Sequence, residues 1–122
     1  MSPDLRHCLG RLGERLAAEH LERRGLAIVG RNYRTRWGEL DLVGFDGDAL
    51  VFCEVKTRRG GRAVPFDAMS LEKRERVRRM AMAWLAEVGD RPHARILRFD
   101  AIGVVVDGHD KLVRLDHVEN AF

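Results

Sequence analysis

Residues 38–57 read Gly38-Glu39-Leu40-Asp41-Leu42-Val43-Gly44-Phe45, then Asp46-Gly47-Asp48-Ala49, then Leu50-Val51-Phe52-Cys53-Glu54-Val55-Lys56-Thr57. Residues 39–45 alternate in character, as a strand with one buried face does, and Asp46-Gly47 is a hairpin signal. Residues 50–57 are apolar except for Glu54 and Lys56, the pattern of a central strand covered on both faces. Glu54 and Lys56 are two apart, so they project to one face while Val51, Cys53 and Val55 take the other. A two-residue turn would pair Phe45 with Asp48, Asp41 with Phe52 and Glu39 with Glu54. Asp41 would then lie diagonal to Glu54 on the same face, a relation that a bulge or an odd loop length would reverse.

Around this core the chain alternates between helical and extended patterns. Leu5, Leu9, Leu12, Leu16 and Leu21 recur at three to five residues, which predicts a helix over 5–24 that Gly25 closes. A short strand is expected at 26–29. Gly60, Gly61 and Pro65 mark a loop, expected to be mobile over 58–68. Ser70 is a candidate N-cap for a second helix over 71–88, ended by Gly89. Strands at 96–106 and 112–118, joined by Asp107-Gly108, complete the order α-β-β-β-α-β-β. The expected architecture is α/β: a mixed central sheet flanked by helices, in one domain spanning 1–122.

Composition narrows the function classes. The chain has 122 residues, 45% hydrophobic and 34% charged, which suits one globular core and excludes the disordered and collagen-like classes. No stretch approaches the roughly 18 apolar residues of a membrane span, and the N-terminus lacks a signal peptide's apolar segment. A cytoplasmic protein with no membrane partner is expected. Cys8 and Cys53 are too few for a disulfide framework or a zinc cluster and read as reduced thiols, Cys53 in the core. The net charge of +3 is modest, but its distribution is uneven. Residues 58–79 hold eight Arg or Lys against three acids, and Arg31, Arg34 and Arg36 form a second basic run. Residues 37–57 carry five acids and one base. An acidic pocket bordered by basic segments suits a polyanion held beside a bound divalent cation.

Carboxylates brought together on a covered sheet face repel each other, so Glu39, Asp41 and Glu54 need a cation, a proton or solvent. Magnesium is the natural cation, since it takes hard oxygen ligands and keeps positions for water and phosphate. Glu14, with the small residues Gly10 and Ala17 as helical neighbours, could reach the same pocket or could pair with Arg11 on the surface. Tyr33 and Trp37 could stack on an exposed base, although core packing is the better reading; Trp84, at helical spacing from Met80, belongs to the core.

Several of these stretches together carry a resemblance that spans nearly the whole chain. They are Gly13-Glu14, residues 38–43, residues 51–58, Lys73, Arg98-Phe99-Asp100 and Asn120-Ala121-Phe122. The sequence resembles the YraN family, small bacterial proteins grouped with endonucleases and related to archaeal Holliday-junction resolvases in the PD-(D/E)XK nuclease superfamily. The resemblance implies a restriction-endonuclease-like core, with Asp41 and Glu54 as metal ligands, Lys56 as the catalytic lysine and Glu14 as an accessory acid. Leu40 stands where the superfamily motif has its proline. The expected activity is a magnesium-dependent phosphodiesterase acting on DNA, possible with Mn2+ as well, and extending to branched or Holliday-junction DNA. Asp41, Glu54 and the Val55 carbonyl would hold the metal, and Lys56 would orient water or offset transition-state charge. Arg58, Arg59, Arg62, Lys73, Arg34 and Arg36 are candidate phosphate contacts. Resolvase kinship also implies a homodimer. The competing readings are a non-catalytic nucleic-acid-binding module or assembly factor on the same fold, and a protein-interaction scaffold.

Overall fold

The computed structural model describes residues 3–62 and 71–122. Helix α1 (Pro3–Arg23) is followed by strands β1 (Ala27–Thr35), β2 (Gly38–Phe45) and β3 (Ala49–Arg59), helix α2 (Leu71–Glu87), and strands β4 (Ile96–Val106) and β5 (Leu112–Val118). The five strands form one mixed sheet in the order β1-β2-β3-β4-β5. Only β3 and β4 run parallel, the pair separated in sequence by α2, and every other neighbouring pair is antiparallel. The expected element order and sheet type are thus observed. Ser70, Pro65 and most of the expected loop lie outside the described residues. Arg58 and Arg59 are not loop residues: they extend β3 and pair with Val105 and Val106 of β4.

Each helix covers one face of the sheet. On one side Leu9, Ala17, Ala18 and Leu21 of α1 pack with Val51, Cys53, Ile102 and Val104. On the other, Val77, Met80 and Trp84 of α2 pack with Leu50, Phe52 and Phe99. The β3 run is apolar because both faces are buried. Trp84 is a core residue, edge-on to Phe52 at 5.8 Å, and Cys53 is buried as expected. Tyr33 and Trp37 pack against the same cluster. Leu21 leads into Gly25, whose φ of +89° lets the chain leave α1 and start β1.

Two expectations about the first three strands are corrected. Strand β1 is much longer than residues 26–29: it is an edge strand with solvent on one flank, so its polar residues are compatible with pairing. The hairpin register also differs, with Phe45 pairing Leu50 and Leu42 pairing Cys53. Asp46 lengthens the turn, since its Oδ1 accepts the N–H groups of Asp48 at 2.9 Å and Ala49 at 2.7 Å. Glu39 is therefore not opposite Glu54; it pairs with Arg34 of β1. The slip is two residues, an even number, so Asp41 and Glu54 keep the common side that the shorter turn required.

The last residues are tied down by a buried carboxylate. Asp100 on β4 is 0% exposed and receives a two-pronged contact from Arg98, with Nε to Oδ1 at 3.0 Å and Nη2 to Oδ2 at 2.9 Å. His117 Nε2 lies 2.7 Å from Oδ2, and the Asn120 N–H donates to Oδ1 at 3.1 Å. Ala121 N–H donates to the Phe99 carbonyl, which seats Phe122 in the core. Burial works against the Asp100 charge, but His117, Arg98 and the Asn120 N–H outweigh it and hold the carboxyl below its ordinary range.

Candidate functional site

The β2–β3 ladder ends at Leu42↔Cys53, and the next residues along are Asp41 and Glu54. Beyond that point the Val55 N–H is satisfied by a side chain: it donates to Asp41 Oδ2 at 2.7 Å. Asp41 and Glu54 both line a cavity of about 250 Å³, together with Trp37, Glu39, Phe52, Arg76 and Val77. The sheet thus brings together the two carboxylates expected to act as a pair.

Glu14 arrives from α1 because the helix lies very close to β3. A Cβ on Gly13 would fall 1.7 Å from Thr57 Oγ1 and 2.7 Å from Thr57 Cβ, so only glycine permits this approach. The small residue that matters is Gly13; Gly10 has open space beside it. Single carboxylate oxygens of Glu14, Glu39 and Asp41 lie within 4.8 Å of one another. Asn32 fastens two of them, its Nδ2 donating to Glu14 Oε1 at 2.8 Å and to Glu39 Oε1 at 3.1 Å. It does so from a left-handed backbone, φ +49°, inside β1, a conformation asparagine tolerates better than most residues. Arg11 Nη1 reaches the same two oxygens at 2.8 and 3.3 Å. Glu14 thus makes the expected Arg11 pair and comes close to Asp41, but it does not line the cavity that Asp41 and Glu54 share.

Burial foremost, and then the negative charges of Glu14, Glu54 and Glu39, push the Asp41 carboxyl up to about 7 against the pull of the Val55 N–H. A carboxyl so placed calls for a proton or a cation. Two oxygens on one octahedral ion at about 2.1 Å are separated by at most about 4.2 Å, so the 4.8 Å within which the three oxygens lie is slightly wider than such an ion spans, and the side chains would draw in to share it.

Other expected residues are distributed differently. Lys56 shares β3 with Glu54 but is exposed and does not line the 250 Å³ cavity. Lys73 of α2 reaches Glu54, with Nζ 3.5 Å from Oε2. Arg34 is 85% exposed at its side chain, 3.9 Å from Glu39, and Arg36 lies over the Trp37 ring at 4.5 Å. Arg59 pairs with Asp110, while Arg58 and Arg62 are exposed. Sequence reasoning places Glu39 among the acids that need a cation, but opposite Glu54, and gives Arg11 only as a surface partner of Glu14; Asn32 it misses, because that residue gives no periodic or compositional signal.

A five-stranded mixed sheet with a helix on each face and carboxylates gathered where β2 and β3 part defines an α/β domain consistent with a nuclease-like core. The chain belongs to the uncharacterised protein family UPF0102, whose family model matches residues 13–104. This is the same family that the sequence resemblance indicated. A UPF0102 protein of Rhodococcus jostii is 44% identical over 115 residues, covering 93% of this chain and 95% of the relative. One from Pelotomaculum thermopropionicum is 43% identical over 120 residues, 98% of each chain. One from Frankia casuarinae is 48% identical over 116 residues, 93% of this chain and 95% of its own. Among the described residues no helix is long and apolar enough to cross a membrane.

Proposed function

We propose that this protein is a cytoplasmic, metal-dependent phosphodiesterase that cuts DNA, with branched DNA as a candidate substrate. The observation that carries this reading is that Asp41 and Glu39 belong to two acidic groups at once, the compact cluster they form with Glu14 and the cavity they line with Glu54, with Arg11 and Arg76 beside them. Asp41, Glu54 and the Val55 carbonyl would hold Mg2+ or Mn2+, with Glu14 and Glu39 beside Asp41 as accessory acids close enough to be neutralised by it; the ion when bound supplies charge for the phosphate and lowers the pKa of a water. The chain's own contribution is positional. Asp41 is braced by the Val55 N–H, Glu14 is seated by the Gly13–Thr57 contact, and Asn32 holds Glu14 and Glu39 in register. Lys56 stands on the same strand as Glu54, on the solvent side, and is assigned the orientation of water or the offset of charge on the phosphate. Arg58, Arg59, Arg62, Lys73, Arg34 and Arg36 are assigned to the strand's phosphates, and a homodimer would present two such sites to a two-stranded substrate.

One observation favours a second reading. The Glu14 and Glu39 carboxylates already meet Arg11, and Glu54 already meets Lys73, which suits a non-catalytic nucleic-acid-binding module that balances its acids internally. The deciding assay presents purified protein with linear, flap and four-way-junction DNA in Mg2+ or Mn2+. Cleavage that disappears in Asp41→Asn and Glu54→Gln, while DNA affinity in EDTA persists or rises, supports the enzyme. No cleavage of any substrate by wild type, with DNA binding intact, gives the binding module its place.

A further inference from the structure

Beside the carboxylate cluster lies a second cavity of about 160 Å³, lined by His7, Gly10, Arg11, Glu14, Arg34 and Glu39. It shares Glu14 and Glu39 with the cluster, so whatever neutralises those acids sets the charge of the groove. Arg11 does so in this structure, one nitrogen bridging Glu14 Oε1 and Glu39 Oε1. We propose that Arg11 is the resident counter-ion of this pair, that a divalent cation displaces it, and that the freed guanidinium then binds a phosphate group in the groove beside Arg34. This deepens the proposed function, resting on its cation site, and names a phosphate subsite that opens only in the cation-bound state.

The argument is one of competing charges. A guanidinium cannot shed its proton, so it stays positive and is repelled by a divalent ion lodged a few ångströms away. The two donors on these carboxylates differ in their freedom to leave. Asn32 is neutral and held by its own strand, whereas Arg11 is charged, its side chain 39% exposed at the end of a long flexible stem. Asn32 therefore remains and Arg11 goes. Before the exchange the groove sets two guanidiniums against two carboxylates and offers a phosphate no net attraction. Afterwards the carboxylates are satisfied by the cation, and Arg11 and Arg34 face the groove as a pair of cations suited to phosphate oxygens.

The test compares wild type with Arg11→Gln, using two probes on the full chain. Calorimetric titration with Mn2+ should show the variant binding about three- to tenfold more tightly, because its competing charge is gone. A phosphorothioate oligothymidylate, which keeps its charge and resists hydrolysis, should bind the variant several-fold more weakly at saturating Mn2+ but within about twofold of wild type in EDTA. Opposite signs for the two ligands are what a merely structural arginine would not produce. Arg11→Lys, which keeps the charge, should retain a Mn2+ affinity near that of wild type. Unchanged or weaker Mn2+ binding by Arg11→Gln overturns the exchange while leaving the cation site standing. Unchanged oligonucleotide binding at saturating Mn2+ overturns the phosphate subsite. Absence of Mn2+ binding in both proteins removes the cation site and this inference with it.

Discussion

Two aspartates of one sheet, Asp100 buried and Asp41 half-buried, are held in opposite directions, which is the clearest sign of their different work. Asp100 meets Arg98, His117 and a backbone N–H, and its carboxyl is lowered; Asp41 meets one N–H and three other acids, and its carboxyl is raised. The pH consequences differ in sign. Asp41 contributes stability that is complete below its unfolded value near 3.8 and is lost as pH rises through about 7. Asp41→Asn should therefore melt above wild type at pH 8 in EDTA, by about 1 kcal/mol or more, with the two curves converging toward pH 4. A variant less stable than wild type at pH 8 would contradict the repulsion argument. Asp100 contributes stability above its unfolded value that is lost as pH falls through its lowered folded one. Asp100→Asn should cost about 3 kcal/mol in urea denaturation at pH 7, because it removes the buried charge that Arg98 grips and leaves Arg98 with the longer contact to Glu119 at 3.7 Å.

At the scale of elements, the site depends on how α1 lies on β3. Gly13→Ala drives a methyl into Thr57, so α1 must lift and carry Glu14 away from Asp41. The expected cost is about 1–3 kcal/mol, as for other overpacked contacts, together with weaker Mn2+ binding. Adding Thr57→Ala should restore part of the stability and part of the Mn2+ affinity; simple additivity of the two substitutions would mean that they do not act through this contact. The hairpin shows how an element can be misjudged without harming the site. Asp46-Gly47 correctly signals a reversal, but the Asp46 carboxylate caps two N–H groups and makes the turn longer, a contact that a dipeptide signal does not contain. The register error is even, so the faces survive it. Strand β1 looks short in sequence because Arg31, Arg34 and Arg36 read as a solvated run, and because the Asn32 conformation and the irregularity between Ile28 and Gly30 disturb the alternation.

Over the whole molecule, acids occupy the parting of β2 and β3 while Arg58 and Arg59 end β3 and Arg62 follows in the bend beyond it, so cleavage and affinity should be separable by mutation. Replacing these three arginines by Ala should weaken DNA binding on every sequence and reduce the log–log salt slope by up to about 0.9 for each phosphate they would otherwise neutralise. A slope equal to that of wild type would place the DNA elsewhere. Mn2+ should stabilise wild type through mass action, by about 2.7 kcal/mol at one hundred times its dissociation constant, read as a higher melting temperature, and Asp41→Asn should blunt that gain.

The sequence by itself determined the element order, the double-sided burial of β3, and the common side of Asp41 and Glu54, because periodicity, turn residues and strand parity are local properties. It also carried the motifs that join the chain to its family. Only the tertiary structure decided that Glu39 joins Glu14 and Asp41, that Lys73 reaches Glu54, and that Arg11 and Asn32 fasten the cluster. Those contacts join residues up to 28 positions apart across a helix and an edge strand. Their distances are set by the sheet's pairing and by one glycine's worth of space between α1 and β3, neither of which leaves a periodic trace along the chain.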